Sequence, residues 1–193
     1  MKKLKLYLLI LVTMVCISLL SCDDDENNPN AQLEDGVFVV NEGNFQDANG
    51  TVSHIAADNT VTHDIFGTMN HGLALGDVVQ SMTIDGDFAY IVVNNSNKME
   101  VVNANTFVLE YTLKNVLLPR YFTTLNGKGY LTEWVSYSDP GRVAVIDLTN
   151  HVVTESITTD FGAENIIAHE DKLYVSNNFS NTVSVIDPAA GEV

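Results

Sequence analysis

The chain is 193 residues long and 46% hydrophobic, enough for one domain with a sizeable core and too little for two large ones. Nine lysines and arginines stand against 25 aspartates and glutamates, a net charge of −16. That balance excludes a basic nucleic-acid footprint and electrostatic docking on an anionic membrane surface.

Met1-Lys2-Lys3-Leu4-Lys5 is a basic start, and residues 6–20 form an apolar run. A membrane span needs about 20 apolar residues, so a run of this length reads as a signal peptide, residues 1–21. It ends in Leu19-Leu20-Ser21-Cys22, which resembles the lipobox of bacterial lipoproteins. The resemblance implies cleavage before Cys22 and a diacylglycerol on its sulfur, a lipid anchor to the membrane. The other cysteine, Cys16, lies inside the leader. Cys22 is then the only thiol of the mature chain, which excludes an intrachain disulfide and a cysteine zinc site. Residues 22–36 read as a solvated, acidic tether beginning Asp23-Asp24-Asp25-Glu26. Contiguous carboxylates lack the spacing and the glycine of a calcium loop. Acidic residues directly after the lipidated cysteine are similar to the surface-export signal of Bacteroidetes lipoproteins, which implies a place outside the outer membrane.

From Val37 onward short β-rich runs alternate with Asn/Asp/Gly turns. The first unit offers strands at 38–41 and 52–56. The second predicts strands at about 80–84, 89–94, 98–102 and 108–113, and the third at 121–125, 129–134, 142–146 and 152–157. A fourth offers 173–177 and 182–186. The closing residues Asn103, Asp147 and Asp187 recur at a period of roughly 40–47 residues, as expected for blades of a β-propeller with about four short strands each. Helix-pair solenoids share that period, but β-branched runs this short do not make helices. Asp147 and Asp187 are expected to start turns.

The fourth unit, Leu173-Tyr174-Val175-Ser176-Asn177-Asn178-Phe179-Ser180-Asn181-Thr182-Val183-Ser184-Val185-Ile186-Asp187, resembles the YVTN repeat of surface-layer and YncE-like propellers. Asn41-Glu42-Gly43-Asn44-Phe45 and Leu118-Pro119-Arg120-Tyr121-Phe122 resemble a YncE-like lipoprotein family of Bacteroidetes. The likeness covers residues 37–193, and no Trp-Asp dipeptide points to WD40 instead. The fold expected is all-β: about 3.6 four-stranded antiparallel blades, an N-terminal portion of a ring that the resemblance makes seven-bladed. A compact four-bladed ring is the alternative.

In antiparallel blades, loops alternate between two faces. One face is expected to hold the second-to-third-strand loops, with Asn41, Glu42, Asn44, Phe45, Asn94, Asn95, Trp134, Tyr137, Asn177, Asn178 and Phe179. The connections between units would add Gln80, Arg120 with Tyr121, and Glu164 with Asn165; Glu133 lies beside them. Amides donate and accept, aromatics give apolar area at low entropy cost, and a neutral polar ligand with an apolar body suits both. The histidines show no metal-ligand spacing, and no nucleophile elbow, P-loop or dinucleotide fingerprint occurs. The expectation is a non-enzymatic binding module without a cofactor. The resemblance implies surface capture of cobalamin and transfer to a TonB-dependent transporter. A protein-interaction or adhesion propeller and a propeller enzyme, lyase or quinoprotein-like, are the alternatives.

Overall fold

Residues 32–33 and 35–193 are described by the computed structural model. The expected signal peptide, Cys22 and the acidic run 23–26 lie outside these residues. Four antiparallel sheets follow one another along the chain, each built from strands consecutive in sequence. The first holds β1 (Gly36–Asn41), β2 (Thr51–Ala56) and β3 (Val61–Thr62), followed by one short helix, α1 (Ile65–Met69). The second holds β4 (Val79–Asp85), β5 (Phe88–Val93), β6 (Lys98–Asn103) and β7 (Leu109–Lys114). The third holds β8 (Pro119–Leu125), β9 (Lys128–Glu133), β10 (Arg142–Asp147) and β11 (Val152–Thr158). The fourth holds β12 (Ala163–His169), β13 (Lys172–Asn177) and β14 (Thr182–Ile186). This is the blade architecture of a β-propeller.

Local chemistry explains the hairpins. Asn126 and Gly127 join β8 to β9 with φ of 51° and 77°, the left-handed pair that matches strand twist in a two-residue turn. Asn103, Asp147 and Asp187 each accept two following backbone N–H groups on Oδ1, so all three close Asx turns.

The inner strands read as unbroken apolar runs because both sheet faces are covered, and alternate residues go to opposite neighbours. In β5, Ala89, Ile91 and Val93 pack toward the first sheet, whereas Tyr90 and Val92 pack toward the third. In β10, Ala144 and Ile146 meet the second sheet, and Val143 and Val145 the fourth. Three apolar seams therefore hold four sheets together.

Three elements differ from the sequence expectation. Leu33, placed in the tether, donates its N–H to the Asn105 carbonyl at 2.7 Å and packs against the first seam. Helix α1, unforeseen, is capped by Asp64, which accepts the Gly67 N–H at 2.9 Å, and it buries Ile65, Phe66 and Met69. Five residues give no helical periodicity to read. Glu164 and Asn165 fall inside β12, not in a connection, because a bulge absorbs this polar pair.

Candidate functional site: an aromatic platform between the third and fourth sheets

The first strands of the second, third and fourth sheets share a defect at the same place. Pairing of β4 with β5 skips Gln80, that of β8 with β9 skips Arg120 and Tyr121, and that of β12 with β13 skips Glu164 and Asn165. A bulge leaves extra residues unpaired and re-aims their side chains. Just ahead of each bulge stands a residue with positive φ: Val78 (59°), Leu118 (46°) and Gly162 (74°). Their carbonyls accept the N–H groups of Asn94, Trp134 and Asn178 at 2.8, 3.2 and 2.7 Å. Each loop after the second strand is thereby fastened to its bulge.

On the third and fourth sheets the bulges place opposite charges across a seam. Arg120 Nε lies 3.0 Å from Glu164 Oε2, and Nη2 lies 2.7 Å from Oε1, a two-pronged ion pair. Trp134 Nε1 donates to Glu164 Oε2 at 2.8 Å, and the Arg120 guanidinium lies 4.1 Å from the centroid of the Trp134 ring. Phe179 meets the Trp134 ring at 4.7 Å between centroids, and Tyr137 meets it at 5.7 Å. The loop carrying Tyr137 is shaped by Ser136, whose Oγ accepts the N–H groups of Ser138 and Asp139. Phe179 is fixed by its own N–H on the Phe161 carbonyl at 3.2 Å. Trp134 is thus consumed as support, while Tyr137 (75% exposed) and Phe179 (45% exposed) offer their surface to solvent. Asn165 and Asn178, both exposed, adjoin Glu164 and Phe179 in the chain.

The other expected residues are placed differently. Asn94 is buried, with Nδ2 on the Pro119 carbonyl at 3.0 Å, so it ties the second sheet to the third. Asn95 donates to Asp77, which also accepts the Gln46 N–H, an arrangement that pins the loop after β1. Asn41 donates to Thr51 and Ser53, and Asn177 repeats this on Thr182 and Ser184. Asn177 Oδ1 is buried without a hydrogen-bond partner among the described residues. Gln80 reaches the Tyr121 hydroxyl at 3.5 Å. Glu42, Asn44 and Phe45 are exposed on the first sheet's loop, and no hydrogen bond or ring contact ties them to the platform. Glu133 corrects the expectation most clearly. It is fully buried, accepts the Leu117 N–H at 3.0 Å and pairs with Arg142, its cross-strand partner. Burial pushes its carboxyl above the usual glutamate range, with the Arg142 guanidinium pulling against it. It is a seam residue closed to any ligand. Glu164, by contrast, is the organising residue. Its signal is that it lies one blade after Arg120, at the equivalent bulge position, with opposite charge.

Tyr137 and Phe179 make the platform an exposed surface. A concave cleft of about 550 Å³ lies instead on the turn side, lined by residues such as Asn126, Lys128, Tyr130 and Lys172. Among the described residues no group of three or more His, Cys, Asp or Glu could hold a metal ion.

No curated protein matches the chain. Hydrazine synthase of Kuenenia stuttgartiensis is similar in structure: TM-score 0.61 at 20% identity, covering 74% of this chain and 41% of that one. So is a quinonprotein alcohol dehydrogenase-like protein of Bacteroides thetaiotaomicron VPI-5482: TM-score 0.58 at 18% identity, covering 79% of this chain and 36% of that one. The chain spans about two fifths or less of the length of these structures, and at such identities the likeness is one of fold. Residues 35–193 match the family described as a domain of unknown function, DUF5074, and the chain belongs to that family.

Proposed function

We propose that this protein is a non-enzymatic binding module, exported and held on the outer surface of the outer membrane through Cys22. It captures a neutral polar ligand with a broad apolar body on the Tyr137–Phe179 platform. The observation that carries this reading is the two exposed rings standing on a rigid base of Trp134, Arg120 and Glu164. Rigid aromatics give contact area at low entropy cost. Glu164 neutralises Arg120, so the platform presents no unpaired charge and does not call for an ionic ligand. Asn178, exposed and next to Phe179 in the chain, adds an amide donor and acceptor, whereas Asn165 lines a separate cleft with Ile167, Tyr174 and Val183.

A corrinoid such as cobalamin, a wide macrocycle fringed with amides, has this chemistry. The resemblance to YncE-like surface lipoproteins supports the same choice, with a TonB-dependent transporter as the receiving partner. Calorimetric titration of the chain from Asp23 onward with cyanocobalamin tests it. Saturable 1:1 heat is expected, weakened about tenfold or more in Tyr137→Ala and Phe179→Ala. Absence of heat, or wild-type affinity in both variants, refutes the assignment.

A further inference from the structure

On the turn side, the seam between the third and fourth sheets breaks the repeat that the seam before it keeps. Tyr90 and Tyr130 occupy the same register position in β5 and β9, opposite Thr83 and Thr123. Each ring packs toward the following sheet. Tyr90 meets Phe122 there, ring on ring at 4.3 Å between centroids. The equivalent of Phe122 in the fourth sheet is Ile166, since Phe122 pairs with Leu131 and Ile166 with Val175. Tyr130 therefore has no ring to stack on. The cleft of about 550 Å³ opens at this place, beside the β8–β9 and β12–β13 turns. Its size is that of a small-molecule site.

Tyr130 is 3% exposed and lines this cleft. Its hydroxyl has no hydrogen-bond partner among the described residues and is not sealed from solvent, so the ring meets the cleft through that oxygen. Burial, with Glu155 nearby, holds the phenol above its usual range, so it keeps its proton and stands as a donor. Lys128 and Lys172, each the first residue of its strand in β9 and β13, line the same cleft. Lys98, Arg120 and Arg142 each pair with a glutamate, whereas Lys128 and Lys172 have no ion pair among the described residues. The carboxylates of the cleft are placed otherwise. Asp171 accepts the Asn126 amide at 3.1 Å, and Asp187 accepts the Ala189 and Ala190 N–H groups of its own turn. Glu170 stands out in solvent, 3.6 Å from His169. Three donors are thus left free, two of them cationic, on a molecule of net charge −16. Free donors call for an acceptor-rich anion. The carboxylates around them repel a multiply charged one, while their spare lone pairs can take hydroxyl groups.

We propose that this cleft binds a singly charged hydroxy-carboxylate of about the size of a monosaccharide acid. The carboxylate lies between Lys128 and Lys172, an oxygen of the ligand accepts from the Tyr130 hydroxyl, and its hydroxyl groups donate to Asp171 and Asp187. The site is on the turn side, apart from the loop face that carries Tyr137 and Phe179, and it stands whether or not that platform holds a ligand.

Titration of the isotope-labelled chain from Asp23 onward with D-glucuronate, followed by amide NMR shifts, tests this, with D-glucose and inorganic phosphate as comparisons. Saturable shifts at Gly127, Lys128, Asp171 and Lys172 are expected with glucuronate. Glucose, which lacks the carboxylate, and phosphate, which carries more charge and no carbon-borne hydroxyls, are each expected to bind at least about tenfold more weakly. Lys128→Met is expected to weaken glucuronate about tenfold and Tyr130→Phe about fivefold. Circular dichroism and thermal melts check that both variants fold; if either does not, Lys172→Gln replaces it, with the expectation given for Lys128→Met. No saturable shift up to about 10 mM glucuronate, glucose or phosphate bound as tightly as glucuronate, or wild-type affinity in either variant overturns the inference.

Discussion

Glu164 receives Arg120 on two oxygens and the Trp134 indole N–H on one of them, so a single carboxylate sets the base on which Tyr137 and Phe179 stand. The side chains of this ion pair are mostly sheltered, at 13% and 20% exposure, so a double-mutant cycle on Arg120→Ala and Glu164→Gln is expected to give a coupling of about 1–2 kcal/mol. Trp134 is the only tryptophan, so Glu164→Ala, which removes the indole's acceptor and the partner of Arg120, is also expected to change the protein's fluorescence emission. An unchanged spectrum and zero coupling would show that the base does not depend on Glu164. At the turns the relevant group is Asp147. The Asn150 side chain and the Asn150 and Thr149 N–H groups hold its carboxyl below the usual aspartate range. A depressed pKa stabilises the fold above the ordinary aspartate range, and that stability is lost as pH falls through the depressed value. Asp147→Ala is therefore expected to lower the melting temperature at neutral pH, with the difference from wild type closing in acid. A difference independent of pH would contradict this. Composition alone made Trp134 and Arg120 stand out, as the single tryptophan and one of two arginines. It did not reveal that Glu133 points away from them, because that depends on strand register and on Arg142 opening the partner strand.

Each bulge, with the positive-φ residue before it, converts a regular strand into a mount for side chains. Val78 and Leu118 adopt left-handed backbone conformations that cost non-glycine residues of order 1–3 kcal/mol, whereas Gly162 does so freely. At Gly162 a Cβ would also come within 2.8 Å of the Phe179 nitrogen and of its ring. Gly162→Ala is expected to destabilise the fold by about 1–3 kcal/mol in denaturant titration and to displace Phe179, weakening any ligand held there. Unaltered stability would mean that this approach is not needed. Strands β5 and β10 were legible because two covered faces write a nearly unbroken apolar run into the sequence, and β6, β9, β13 and β14 because they repeat that pattern of short β-rich runs at the blade period. Strand β12 was missed because Glu164 and Asn165 interrupt the apolar pattern at the bulge, where the site is built. Helix α1 was hidden because five residues are held by burial and one cap, not by a periodic pattern.

The three seams make the four sheets one body, and their cost of disruption follows burial. Leu131, fully buried between the second and third sheets, is expected to cost about 2–5 kcal/mol on substitution by alanine, whereas exposed Val183→Ala is expected to leave the unfolding midpoint of the monomeric chain nearly unchanged. Equal effects of the two would deny that the seams carry the stability. The blade period and the loop-bearing face could be read from spacing and turn chemistry. The meeting of Arg120 with Glu164 could not, because it needs two neighbouring sheets in contact across a seam. That contact fixes a neutral, aromatic platform on an otherwise acidic molecule, where the ligand is proposed to be captured. Calorimetric titration of the chain from Asp23 onward with cyanocobalamin, run beside Tyr137→Ala, addresses this capture most directly. Saturable 1:1 binding that weakens about tenfold or more in the variant is the predicted result. No heat at micromolar protein, or binding indifferent to Tyr137, would contradict it.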